Sequence, residues 1–523
     1  MEFEKRIKGY IATRIPPSYR IIEAYPLSEP WAYARIAEHR DTGEIKYFID
    51  EIPLTYQEQK VYNRIMEVLY WELKPPPTGI DPTEYFASEA RRIVLLYRIR
   101  LGRTPGISWS KILYYVVRDT VGFGPIDPLM RDPAIEDISC DGVGKPVYVW
   151  HRKYEYIPTN LEFTDPEELD SMVVKLAHMA GKHVSVAFPI VDAILPGGHR
   201  LALTFRKEVS TQGSTFTIRK FREDPITIID MLESRTLSPE VAAYLWLLIE
   251  HKMTGLIMGV TGAGKTSTLN ALATLLRPTL KVVTVEDTPE LRLPLENWVQ
   301  FVSRPSYGIG MEKIGEISLY DLIKVSLRYR PDVIIVGEVR GEEAYVLFQA
   351  IATGHGGLTT IHAEHIDAAV KRLTSPPMNI PPSYIPLMNF GLVIKKIVKF
   401  EGEGRPRIER RITSIWEIRD YGKYDEVVKW IASEDKFSVR LEESILLKSI
   451  AEERGKDMDW IIDELIKRRT VLLWMKARKL RHYKDVAKVI HRYYVRPEAV
   501  YRQALEELDN LSKSRSWKSI ISN

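Results

Sequence analysis

Apolar residues recur along this chain in several distinct rhythms, and the changes of rhythm mark its organisation. Before residue 73 short β-like runs give way to a stretch, Gln57 to Leu73, with apolar positions three or four apart, which predicts an amphipathic helix. Glu84 to Arg100 repeats that spacing. Between them Lys74-Pro75-Pro76-Pro77-Thr78-Gly79 cannot continue a helix, because proline lacks the N–H and restricts its predecessor. A further helix around Lys111 to Thr120 leads to a turn at Gly122-Phe123-Gly124-Pro125. From about 135 to 220 short alternating runs, such as Val147 to Trp150 and Arg200 to Phe205, surround one helix near Pro166 to Met179 and read as a small α+β domain. Asp224-Pro225 marks a boundary. Beyond it, Leu256 to Met258, Val282 to Val285 and Val333 to Val336 are continuous apolar runs between helical segments. Strands buried on both faces of a mainly parallel sheet have that pattern. After about 405 a β-like patch, Ser414 to Ile418 and Glu426 to Ile431, precedes helical spacing from about 440 to 510. The expected division is 1–110 (a variable region), 111–222 (α+β), 226–400 (α/β) and 401–523 (a mostly helical extension).

Composition narrows the classes. At 523 residues, 45% hydrophobic, the chain is too long for one typical domain. Its formal net charge is +4, from 74 basic and 70 acidic residues, so no global basic field marks a nucleic-acid coat. Cys140 is the only cysteine, which excludes an internal disulfide and a multi-cysteine zinc site and favours a reducing compartment. Neither a signal-peptide core in MEFEKRIKGYIATR nor an uncharged apolar run of about 18 residues is present, so a soluble, cytoplasmic protein is expected. Scarce Gln and Asn beside abundant Arg, Glu, Lys and Ile lean toward a hot environment.

The chemistry begins at Gly259-Val260-Thr261-Gly262-Ala263-Gly264-Lys265-Thr266, a complete G-x-x-x-x-G-K-[ST] between an apolar run and a helical one, Ser267 to Leu276. Such glycines let backbone N–H groups wrap phosphates at a helix N-terminus. Gly259, Thr261, Gly262, Ala263, Gly264, Lys265, Thr266 and Ser267 are therefore the expected ATP-binding residues. Lys265 is expected on the β- and γ-phosphates and Thr266 on Mg²⁺. Two acidic clusters follow apolar runs, Glu286-Asp287-Thr288-Pro289-Glu290 and Gly337-Glu338-Val339-Arg340. Strand ends in an open α/β sheet face its ligand, and hydrolysis needs carboxylates to activate water and hold the Mg²⁺ shell. His355 and His362, in one Gly/Thr-rich segment, suit a γ-phosphate sensor; metal binding by His355, His362 and His365 is the weaker reading.

The order of these motifs resembles the secretion ATPase superfamily of type II secretion, type IV pili, tight-adherence pili, archaella and type IV secretion. Its Walker A, Asp box, Walker B and His box correspond to GVTGAGKT, VVTVEDTPEL, RPDVIIVGEVRG and ATGHGGLTTIHAE. The likeness extends upstream through Arg131 to Ile138, Asp192 to Arg200 and Phe216 to Phe221, and so covers about residues 115–375. It implies an α/β fold: a RecA-like P-loop ATPase domain behind an α+β (PAS-like) domain, with helical N- and C-terminal extensions. It implies a homohexamer using ATP and Mg²⁺, peripheral to the cell membrane on a polytopic inner-membrane platform protein, and acting indirectly on pilin-like subunits, without nucleic acid. By residue, Glu286 is implied as catalytic base and Glu338 as the Walker B acid that holds Mg²⁺ through water beside Thr266. His355 and His362 are implied as His-box residues, and Arg200, Arg219, Arg304 and Arg328 as arginines for the phosphates.

Lack of the four-cysteine module points away from type II secretion and bacterial pilus extension, toward an archaeal type IV pilus or related assembly ATPase, with the archaellum motor as alternative. Basic and apolar residues from Ile466 to His482 suit docking on a platform or an anionic leaflet, or the solvated face of a helical bundle. A DNA-translocating RecA-like motor is the rival enzyme class; near-neutral charge and the Asp and His boxes speak against it.

Overall fold

The computed structural model describes residues 15–74, 77, 79–101, 104–222, 224–304, 315–399 and 407–513. The chain divides into two compact units, Met1–Arg222 and Glu223–Asn523.

The first unit opens with three strands, β1 (Tyr19–Ser28), β2 (Ala32–His39) and β3 (Ile45–Glu51). Helices α1 (Tyr56–Glu72), α2 (Pro82–Leu96) and α3 (Pro105–Thr120) follow. Thr55 starts α1 through a capping box with Glu58, and the Asp81 carboxylate accepts the N–H groups of Thr83 and Glu84 at the start of α2. The apolar stripes meet through Ile65, Leu69, Ala90, Ile93, Ile112 and Val116. Helix α2 stops short of the expected Arg100, and two residues past its end Arg98 turns to a left-handed φ of 51°. A short helix α4 (Asp127–Arg131) leads into β4 (Ile135–Cys140), β5 (Pro146–His151), β6 (Glu155–Glu162), α5 (Pro166–Met179), β7 (Ile190–Ile194), β8 (Arg200–Thr204) and β9 (Thr215–Arg219). All nine strands form one sheet, in the order β1-β2-β3-β6-β5-β4-β9-β8-β7.

An expected border at residue 110 thus falls inside a continuous structure. Ala34, Ile36, Tyr47 and Ile49 share one buried cluster with Ile138, Val149, Leu176 and Leu203. The hydroxyls of Tyr25 and Tyr47 both donate to Asp132 Oδ2, at 2.7 and 2.6 Å, tying β1 and β3 to the α4–β4 corner.

The second unit begins with α6 (Ile228–Glu233) and α7 (Pro239–Glu250). It continues through β10 (Gly255–Met258), α8 (Lys265–Ala273), β11 (Val282–Glu286), β12 (Trp298–Val302), α9 (Leu319–Arg328), β13 (Val333–Val336), α10 (Glu343–Ala352), β14 (Gly356–Ile361), α11 (Ile366–Thr374) and β15 (Phe390–Lys399). β16 (Arg407–Asp420), β17 (Lys423–Ile431) and β18 (Lys436–Val439) come next, then α12 (Ile445–Arg454), α13 (Met458–Ala477), α14 (Tyr483–Val495) and α15 (Pro497–Lys513). The sheet runs β12-β11-β13-β14-β10-β15-β16-β17-β18, parallel from β12 to β15 and antiparallel beyond.

Strand alternation supplies two cores from the same short runs. Leu256, Met258, Val283, Val285, Ile334 and Val336 face the α9–α11 side. Ile257, Val282, Val333 and Ile335 face the other side, among α6, α7 and α8. That is why these strands read as continuous apolar runs. The second core does not end with the parallel strands: Ile415, Val428, Leu447, Trp474, Ile490 and Tyr493 belong to the same cluster. The residues expected as a mostly helical extension after 400 therefore complete the sheet with β16 to β18 and roof one of its faces with helices.

Arg468 on α13 is buried at that roof. Its guanidinium pairs with Glu464 at 3.0 Å and with Glu250 of α7, beneath Trp246 and Tyr493, whose ring centroids lie 5.0 and 5.4 Å away. Glu250 keeps its pairing with Arg277, so Arg468→Ala removes one of its cations and is expected to cost about 1–3 kcal/mol in a denaturant titration. An unchanged midpoint would show that the pair contributes nothing.

Candidate functional site

The glycine loop lies where the sequence places it, between β10 and α8. Gly262 and Gly264 take φ of 74° and 100°, values that side chains with a Cβ rarely adopt. A Cβ on Gly259 would meet Ile394 O at 2.7 Å, so β15 presses against the loop and excludes any larger residue there. The loop therefore delivers the N-terminus of α8 with Lys265 as its first residue.

Strand order then decides what meets Lys265. β14 lies between β10 and β13, so its C-terminal end carries His362 between the loop and Glu338. Lys265 Nζ is 3.1 Å from His362 Nδ1, and His362 Nε2 is 2.9 Å from Glu338 Oε1. A neutral imidazole protonated on Nε2 accepts from the lysine and turns its N–H edge toward the carboxylate. Burial, with the nearby Lys265 charge, holds His362 below its ordinary pKa and so favours that neutral form. Burial also lowers the Lys265 pKa, helped by Arg340 and Arg372 and opposed by Glu338.

The two oxygens of Glu338 have different neighbours. Its Oε2 accepts from Arg340. Oε1 is buried and faces the His362 imidazole at 2.9 Å. A carboxylate oxygen with a single neighbouring group keeps acceptor capacity that a ligand can use. A hydrated Mg²⁺, which takes one or two protein oxygens besides phosphate, would use that capacity, and Thr266 and Glu338 are the groups that would hold it. Among the described residues no cluster of three His, Cys, Asp or Glu side chains could cage a metal unaided.

Glu286, at the end of β11, is placed differently. It is buried, and its Oε1 accepts the backbone N–H groups of Glu290 and Leu291, both at 2.9 Å, while Gln300 Nε2 donates to Oε2 at 2.8 Å. Three donors occupy most of the carboxylate's acceptor sites. Burial nevertheless pushes its pKa above the ordinary glutamate value. Its side chain lies under Gly337, where a Cβ would sit 3.3 Å from Glu286 Cγ.

The remaining expected residues do not gather at this point. His355 precedes β14, so the length of the strand, roughly 20 Å at about 3.3 Å per residue, separates it from His362. Its Nδ1 lies 3.0 Å from Ala350 O. His365 caps α11 by accepting from Ala368 N–H, so the three histidines do not converge. Arg328 is exposed in the last turn of α9, on the edge from which β13 starts. Arg304 follows β12 and donates to Gly315 O at 2.7 Å. Arg200 and Arg219 belong to the first unit, cross-strand partners on β8 and β9, paired with Asp192 at 2.9 Å and Asp137 at 3.1 Å. Three cations beside the loop were not singled out from the sequence: Arg340, within the second acidic motif; Arg372, which donates to His362 O at 2.9 Å; and Arg410 on β16. Only Arg340 had a motif that could have flagged it.

Residues 119–389, just over half of the chain, match the profile of the family described as Type II/IV secretion system protein. The chain belongs to the type II/IV secretion system ATPase family. An uncharacterized protein of Methanocaldococcus jannaschii is 35% identical over 90% of this chain and 88% of its own length. The type IV secretion system protein PtlH of Bordetella pertussis is 28% identical over 48% of this chain and 81% of its own. Among solved structures the Legionella pneumophila ATPase DotB matches 69% of this chain and 92% of its own at 16% identity, with a TM-score of 0.42. For this secretion ATPase family member, no helix among the described residues is long and apolar enough to cross a membrane.

Proposed function

We propose that this family member is an ATP-hydrolysing motor subunit that works as a homohexamer and drives assembly of a type IV pilus-like filament, or protein export, through a polytopic membrane platform protein. The observation that carries the hydrolytic reading is the chain of contacts from the P-loop lysine through His362 to the buried Oε1 of Glu338. A full-length archaeal relative supports the archaeal branch, of which the archaellum motor is the other member to test.

In this reading the loop N–H groups and Lys265 bind the phosphates, and Thr266 and Glu338 hold Mg²⁺, which when bound would neutralise charge developing on the β- and γ-phosphates. His362 sits where a change at Lys265 is passed to Glu338, which suits a sensor of the terminal phosphate. Glu286 would serve as the base, its raised pKa favouring proton uptake from water near neutral pH. Arg200, Arg219, Arg304 and Arg328 would supply positive charge to the phosphates of this or a neighbouring subunit. Residues 1–110 and the helices after 445 would carry the contacts that choose the platform.

The test is steady-state ATP hydrolysis with Mg²⁺, read against mass by light scattering. Turnover per subunit is expected to rise with the hexamer fraction. Turnover that instead required single-stranded DNA would support a translocating motor and overturn the secretion reading.

A further inference from the structure

The parallel sheet is extended on the P-loop side by an antiparallel pair, β15 and β16, beyond the residues matched to the family profile. β15 lies directly beside β10, and its Ile394 touches the loop. β16 carries one extra residue, Thr413, between the positions paired with Val393 and Ile394. Such bulges bend a strand and re-aim the side chains near them. Two residues away, alternation sends neighbouring charges to opposite faces. Glu409 and Arg411 pair with each other and with Lys399 and Asp435 on one face. Arg410 turns to the other, where its Nη2 lies 3.4 Å from Gly262 O, and a Cβ on Gly264 would come within 3.2 Å of its Cδ.

We infer that Arg410 is a second cation on the phosphates of the bound nucleotide, approaching the loop from the β16 side. This rests on the P-loop reading. Gly262 and Gly264 are the two loop residues with left-handed backbone, the conformations that turn N–H groups toward an anion. A guanidinium held against both by a sheet strand is pre-positioned, and its flat array of donors suits phosphate oxygens. The 3.4 Å contact to a neutral carbonyl is long for a hydrogen bond, so a phosphate oxygen within reach is the stronger acceptor.

Binding of ATP, ADP and inorganic tripolyphosphate to the full chain, measured by displacement of a fluorescent nucleotide, tests this. Arg410→Gln is the informative variant, because it keeps a polar side chain on β16 but carries no charge. Losing a charge-assisted contact is expected to raise the Kd of ATP, ADP and tripolyphosphate by roughly tenfold, with Arg410→Lys between wild type and Arg410→Gln. Wild-type affinity for all three in Arg410→Gln overturns the inference. So does weakened ATP binding with unchanged tripolyphosphate binding, which would assign Arg410 to the base or ribose. Lys265→Ala separates the two readings: if it too binds nucleotide normally, the P-loop reading fails; if it alone loses binding, only the role of Arg410 fails.

Discussion

Lys265→Ala is expected to lower ATP affinity by about a hundredfold or more, without weakening the fold, since a desolvated cation on phosphate is among the stronger polar contacts available to a protein. Stability should be spared for an electrostatic reason. Lys265 is buried, its pKa lowered by desolvation and by Arg340 and Arg372. It therefore contributes an imperfectly compensated charge, and truncation relieves that cost while its stem contributes little to either core. Calorimetric titration beside thermal unfolding checks both halves. A variant that still bound ATP at wild-type affinity would remove the lysine from the phosphate site. One that no longer folded would show that its contact with His362 is structural.

Glu338→Gln should leave ATP binding within a few-fold of wild type and reduce turnover by about a thousandfold, the scale seen when a preorganised electrostatic group is lost. Glutamine keeps the shape of Glu338, and its amide oxygen can still accept from Arg340, but it supplies no anion for Mg²⁺. Glu286→Gln should behave otherwise. Glutamine retains only one acceptor oxygen where Glu290, Leu291 and Gln300 present three donors, so a stability loss of about 1–3 kcal/mol should accompany the loss of rate. Because the native Glu286 pKa is raised, turnover in wild type should fall on acidification at a pH above the ordinary glutamate range. Rapid-quench single-turnover rates, combined with denaturant midpoints, separate the two acids. Equal stability of both variants would mean that Glu286 does not anchor its turn.

Much of this was legible in the sequence, for reasons that differ by region. The short apolar runs at β10, β11 and β13 announce buried parallel strands because each of their residues faces one of two cores. The loop announces itself because a Cβ at Gly259 would strike β15 and Gly262 and Gly264 need left-handed backbone. The meeting of Lys265, His362 and Glu338 follows from β14 standing between β10 and β13, an order that no local pattern encodes. For the same reason His355 and His362 look like neighbours in the sequence yet close opposite ends of one strand. Arg410 is harder still, since its aim depends on an extra residue in β16 and on a pairing with β15. The break in rhythm after 405 reads as a new region, although the strands there complete the same sheet. Hydrophobic periodicity reports which face is covered, not what covers it.

The shared core of α7, α8 and the final helices has a mechanical meaning. Trp474 and Tyr493 are locked among the residues behind the P-loop, so the roof cannot lag when the sheet moves. Helix α13, with 20 residues and a length of about 30 Å, is held from Ile461 to Met475 and so belongs to the same rigid body as the sheet beneath it. A rotation of that whole body by about 10° would carry a point about 30 Å from the pivot through about 5 Å, a displacement set by the length of the helix.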